Sequence, residues 1–217
     1  MNQEILGTLI AFAVPLAVVV LVFAFARRQA GSVRDVLLPV VTAAGWANLE
    51  PTWFTASGFR GLWRTFPVEL AYAPRQKGVP RRLILKIRAP SQSRILIKRR
   101  MYGFLSRPFT LFGPPVVEMR QPAAQELWVR ADEPAFAERI FGDGALVSMI
   151  SKNLVAAFDQ IRVDGSGIRV IRSLDDRPVR AKYNMPVFTM KFEPERFEPI
   201  AREMVALSEA LAGKVSR

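Results

Sequence analysis

The chain has 217 residues, with 31 Lys or Arg against 19 Asp or Glu, and half of its residues are hydrophobic. That much apolar side chain excludes wholesale disorder. Cys and His are both absent, which removes disulfides, Cys/His metal sites, thiolate chemistry, histidine-based triads and histidine-ligated haem.

In chain order, the first feature is an uncharged run of 22 residues, Ile5 to Ala26. As a helix it would extend roughly 33 Å, and it predicts one N-terminal transmembrane helix over 5–26 behind a short tail, 1–4. Ala24-Phe25-Ala26 gives a cleaved signal peptide as the rival reading, but no Lys or Arg precedes the run and it exceeds the usual apolar length. Arg27, Arg28 and Arg34 follow it, so the positive-inside rule puts the N-terminus outside and the rest in the cytoplasm. The expected location is therefore the bacterial inner membrane, as a single-pass protein. Residues 27–32 read as a linker.

The remainder, 33–217, reads as a cytoplasmic α+β domain with a mainly antiparallel sheet and flanking helices, divisible into subdomains over 33–130 and 131–217. Val33, Val36, Leu37, Val40 and Val41 recur at helical spacing, with Gly45 as the terminator and Pro39 as an expected bend or break. Val68–Tyr72 and Leu83–Ile87 alternate as strands, and Arg94–Met101 reads as the partner of the second across the turn 90–93. Leu127–Val129 is a further short strand. Asp132-Glu133-Pro134 opens a helix, and another runs from Ala145 to about Phe158. Ile161–Ile171 is the clearest hairpin, turning at Asp164-Gly165-Ser166-Gly167. Val187–Phe192 reads as a strand, and a closing helix from Pro194 carries Phe197, Ile200, Met204, Leu207 and Leu211 on one stripe.

Charge is unevenly placed. Residues 27–130 carry 18 basic and 5 acidic side chains, whereas 131–217 carry 13 of each. Residues 70–117 hold 11 basic residues, Lys86 among them, and no acid. Such a one-sided region faces something negative or keeps its charges in water: anionic headgroups, the acidic face of a partner, or solvent alone, with nucleic acid last. Beside it, Tyr102–Pro115 (YGFLSRPFTLFGPP) is an aromatic loop punctuated by Gly and Pro. Its rings either dock on a partner or headgroup layer, or fill the core beneath a long loop. The candidate lipid- or partner-binding residues are Arg27, Arg28, Lys98, Arg99, Arg100, Tyr102, Phe104, Arg107, Phe109 and Phe112.

No nucleotide-binding glycine motif is present, and without His the Asp164–Gly167 segment is a turn rather than a nucleophile elbow. Asp175-Asp176 and Asp132-Glu133 are more simply a turn and a helix start than cation ligands. No catalytic residue, metal or cofactor is expected. The run LWVRADEPAFAERIF (Leu127–Phe141), a helix and the hairpin IRVDGSGIRVI (Ile161–Ile171) together resemble bacterial membrane-anchored proteins of unknown function. That resemblance implies a bacterial source and an anchored α+β domain, and it brings no site residues with it. The basic, aromatic middle section departs from it. The resulting expectation is a non-enzymatic accessory or assembly subunit of a larger integral membrane complex, respiratory, photosynthetic, transport or envelope. Its partners would be integral membrane subunits and anionic lipid headgroups. The alternatives are a stand-alone anionic-lipid-binding regulatory module and, behind it, a Ser/Lys or carboxylate enzyme.

Overall fold

The structure, a computed structural model, describes residues 3–51, 58–75, 79–99, 116–117, 126–156, 158–175 and 194–215. Its elements are α1 (Gln3–Ala43), β1 (Ala47–Pro51), β2 (Gly58–Trp63), β3 (Phe66–Ala73), β4 (Arg82–Ile87), β5 (Ile95–Arg99), β6 (Val116–Val117), β7 (Leu127–Ala131), α2 (Pro134–Phe141), α3 (Gly144–Asn153), β8 (Gln160–Asp164), β9 (Gly167–Ser173) and α4 (Pro194–Val215). Among the described residues the nine strands form one antiparallel sheet in the order β1-β2-β3-β4-β9-β8-β5-β7-β6. The class is α+β.

The expected transmembrane helix is corrected: among the described residues no helix is long and apolar enough to cross a membrane. The uncharged run is not an independent segment. It is the first part of a 41-residue helix that continues through 27–32, where a linker was expected, and ends inside the domain. Val33, Leu37, Val40 and Val41 at its far end are buried core. Pro39 neither breaks nor ends α1. Termination comes at Gly45, with φ +70°, where the Gly45 N–H donates to the Thr42 carbonyl and the Trp46 N–H to the Val41 carbonyl. These paired bonds satisfy carbonyls that the helix leaves open.

The described helices lie on one face of the sheet, α1 by its far end alone. α4 crosses β4 and β9, the end of α1 packs on α4 and β2, α3 packs on α4, and α2 packs on α3, α4 and β7. The strands meet them with alternate residues: Val68 and Leu70; Leu83, Leu85 and Ile87; Ile168 and Val170; Ile161 and Val163; Ile95 and Ile97; Leu127, Val129 and Ala131, all buried. The stripe on α4 faces them with Phe197, Met204, Leu207 and Leu211 buried, and the Tyr72 ring packs against Phe197 at 5.5 Å between centroids, tilted by 58°.

The expected pairing of β4 with β5 is also corrected. β4 pairs with β9 and β5 with β8, so the β8–β9 hairpin is inserted between them. Residues 88–94 cross its tip, where the Ser91 N–H donates to the Asp164 carbonyl. Gly167 makes the crossing possible, because its φ is +115° and a Cβ there would stand 2.1 Å from the Ile87 carbonyl oxygen. Only glycine adopts that backbone without strain and leaves that space. The helix after Asp143 ends at Asn153, earlier than the sequence suggested, and the expected strand at 187–192 lies outside the described residues.

Candidate functional site

The face of the sheet opposite the helices is where the basic residues gather. Period-2 alternation sends every residue between the core positions to this side. The registers align them in one row across the strands: Arg60 opposite Glu69, Glu69 opposite Lys86, Lys86 opposite Arg169, Arg169 opposite Arg162, Arg162 opposite Leu96, and Leu96 opposite Arg130. Three neighbouring strands, β4, β9 and β8, thus place Lys86, Arg169 and Arg162 side by side. The next row carries Ile84, Ile171, Gln160, Lys98 and Trp128, and Arg82 lies opposite Ser173 at the end of the same face.

Few acids answer these cations. Lys86 Nζ lies 3.6 Å from Glu69, and Arg162 Nε lies 2.6 Å from Asp164. Arg130 is buried with its guanidinium 5.3 Å from the Trp128 ring centre. Among the described residues no ion pair involves Arg169, Arg82 or Lys98. Arg82 Nε and Ser173 Oγ, cross-strand neighbours, are both buried without a hydrogen-bond partner.

Carboxylates elsewhere serve the fold. Asp159 is fully buried and accepts from the Val155, Ala156 and Ser173 N–H groups and from Arg172, which also donates to the Asn153 carbonyl at the end of α3. Asp175 takes Arg81 through its backbone N–H, Nε and Nη2, with Arg75 3.2 Å away, tying the start of β4 to the end of β9. Burial works to raise its carboxyl pKa, but the hydrogen bonds and charges of Arg81 and the charge of Arg75 outweigh it and hold it below the ordinary value. Asp164 is balanced the same way: burial is outweighed by the Ser166 hydroxyl and N–H and by Arg162, again leaving it low. Asp143 is lowered by the hydrogen bond from Lys214 and by the Leu146 N–H that it caps. Among the described residues no three Asp or Glu cluster as metal ligands.

The residues expected to form the site are divided by this geometry. Lys98 is on the face opposite the helices, whereas Arg99, one position on, turns to the helix side and donates to the Leu154 and Val155 carbonyls, with Glu126 at 3.4 Å. Arg27 and Arg28 lie within α1. Arg100, Tyr102, Phe104, Arg107, Phe109 and Phe112 lie outside the described residues. Sequence reasoning missed Arg162, Arg169 and Arg130, all from the charge-balanced part of the chain or its border. The signal was present in the repeated Ile-Arg-Val on both arms of the hairpin: a four-residue turn sets the two arginines opposite each other.

No family model matches the chain, and no curated protein does. Among solved structures, a crystal structure of the mycobacterial trehalose monomycolate transport factor A is similar over 82% of this chain and 94% of that one, at 11% identity and a TM-score of 0.39. At that score the likeness carries no argument.

Proposed function

We propose that this chain is a non-catalytic accessory subunit that docks on a larger integral membrane complex through the basic row on the face of its sheet opposite the helices. The observation that carries the reading is the row Lys86–Arg169–Arg162. Like charges directly opposite on neighbouring strands destabilise a sheet, so the fold alone gains nothing from them and an anionic partner offsets the repulsion. A second contact is available from α1, whose Phe12, Val14, Leu16, Val18, Val19, Val20 and Leu21 are exposed. An apolar stretch of that size is covered by another apolar surface in a working assembly, and in this reading the partner complex supplies it. Among the described residues, Asp143, Asp164 and Asp175 are each held by hydrogen bonds and ion pairs that serve caps, turns and strand ends, and this reading assigns them no catalytic part.

Extraction of native membranes in mild detergent, with size analysis, tests this. The chain is expected in a particle far larger than its own 24.3 kDa, and Arg169→Glu is expected to release it while the isolated chain keeps its circular dichroism. A wild-type chain that runs at monomer mass in every mild detergent, or an R169E chain that stays in the particle, overturns the reading.

A further inference from the structure

We infer that α1 pairs with the α1 of a second copy of this chain, antiparallel, along a stripe that runs from position 4 to position 28. The inference goes beyond the docking role proposed above, because it brings two copies into the assembly together. The second copy covers one stripe of the apolar stretch, and the rest is left to the partner complex.

Exposure is the first observation. Every residue of α1 from Ala11 to Leu21 is exposed, and no charge interrupts Ile5 to Ala26. Such a helix has no polar face to turn to water, so an apolar neighbour is called for on each side. The domain does not provide one: among the described residues of α1, Val33 is the first that is buried.

Charge fixes register and direction. The uncharged run lies between Glu4 and the pair Arg27 and Arg28, all within α1. Alternating steps of three and four residues from position 4 arrive at position 28, and that is the spacing of a two-helix seam. When a second α1 lies antiparallel with paired positions summing to 32, the acid at position 4 of each copy stands level with the base at position 28 of the other. A parallel pair sets acid beside acid and base beside base, which opposes association.

Side-chain size follows the same symmetry. In a two-fold pair, position i meets j and j meets i. Here Gly7 comes level with Phe25, Ala11 with Leu21 and Val14 with Val18. Small meets large in the outer layers and like meets like at the axis, so the helices keep an even separation over about 36 Å. A parallel pair stacks Gly7 on Gly7 and Phe25 on Phe25, with a gap at one end and crowding at the other. The stripe ends at position 28, before Val33, where the packed domain begins.

The chain has no Cys, so an introduced one reacts alone. Full-length Ala11→Cys and Leu21→Cys, carrying tags of different length, are mixed in mild detergent, oxidised gently and separated without reductant. The mixture is expected to give the 11–21 cross-link and each variant alone little, because like positions stand about 15 Å apart in the antiparallel pair, beyond disulfide reach. Sedimentation of the unmodified chain, freed of other subunits, is expected to show a dimer. Glu4→Lys is expected to weaken it about tenfold, and Arg28→Glu added to Glu4→Lys to restore it, which a chain that merely fails to fold does not do. Cross-links between like positions, no 11–21 cross-link, or a double variant no tighter than Glu4→Lys overturns the inference. If the large particle of the previous test persists while 11 and 21 stay unlinked, the docking role survives and only the pairing is lost. A dimer linked at 11–21 that enters no larger particle keeps the pairing and removes the docking role.

Discussion

Arg169 and Arg172 are three residues apart on β9 and end on opposite sides of the sheet. Arg172 sits on the helix side, donating to the Asn153 carbonyl and pairing with Asp159. Arg169 lies on the opposite side between Lys86 and Arg162. On the first side a guanidinium closes a helix end and neutralises a buried carboxylate, so the fold needs it. On the second, charge is concentrated where the fold would be quieter without it. Strand parity therefore separates the arginine of β9 that the fold uses from the one with no ion pair among the described residues, and a count of basic residues does not.

The comparison breaks most visibly where helix-side groups are removed. Asp159→Ala leaves Arg172 and three backbone N–H groups without their acceptor, and a loss of roughly 3–5 kcal/mol is expected in urea unfolding. Gly167→Ala is next. Its left-handed φ and the Ile87 carbonyl together give an expected loss of about 2–4 kcal/mol, with the hairpin amides losing hydrogen-exchange protection. Acid is a milder probe. Asp164 and Asp175 are depressed in the folded state, so their contribution is fully present above the ordinary carboxylate range and is lost as pH falls through the lower folded values. Urea midpoints are expected to hold at neutral pH and drop below about pH 4, with Asp175→Asn flattening the drop.

The face opposite the helices should respond with the other sign. Arg169→Glu puts an anion between Lys86 and Arg162 and is expected to raise stability by about 0.5–1 kcal/mol while it removes docking. The adjacent pair Lys98 and Arg99 gives the finest contrast. Arg99→Met loses its bonds to the Leu154 and Val155 carbonyls and about 1 kcal/mol. Lys98→Met is expected to leave the urea midpoint within about 0.5 kcal/mol. Equal effects on stability from these two changes would mean that parity does not divide the roles.

Local pattern carried much of the fold. The alternation of Leu83, Leu85 and Ile87, the two Ile-Arg-Val arms and the Phe197–Leu211 stripe all reside within single elements, where periodicity is decided by which side chains meet the core. Strand neighbours are a different matter. Nothing in residues 82–99 announces that the hairpin starting at Gln160 lies between β4 and β5, because non-local pairing is settled by competition among all edges at once. The basic row was hidden for the same reason: Lys86 was legible as a cation, but its adjacency to Arg169 exists only once that hairpin is in place. The continuity of α1 through Gln29–Ser32 was missed because a polar, small-residue stretch reads as a break, although Gln and Ala extend a helix readily.

The inserted hairpin also sets an order on synthesis. As the chain leaves the ribosome, β1–β4 and β5–β7 can each assemble from neighbours in sequence, but they remain two half-sheets with bare edges at β4 and β5 until the residues through Ser173 have emerged. Unpaired edges of that kind invite pairing with the wrong chain. The last helix, α4, which lies over β4 and β9, arrives later still. The newborn protein therefore passes through a sticky interval that ends only once the inserted hairpin and α4 have emerged, and chains released before that should be cleared or aggregate rather than persist as half-domains.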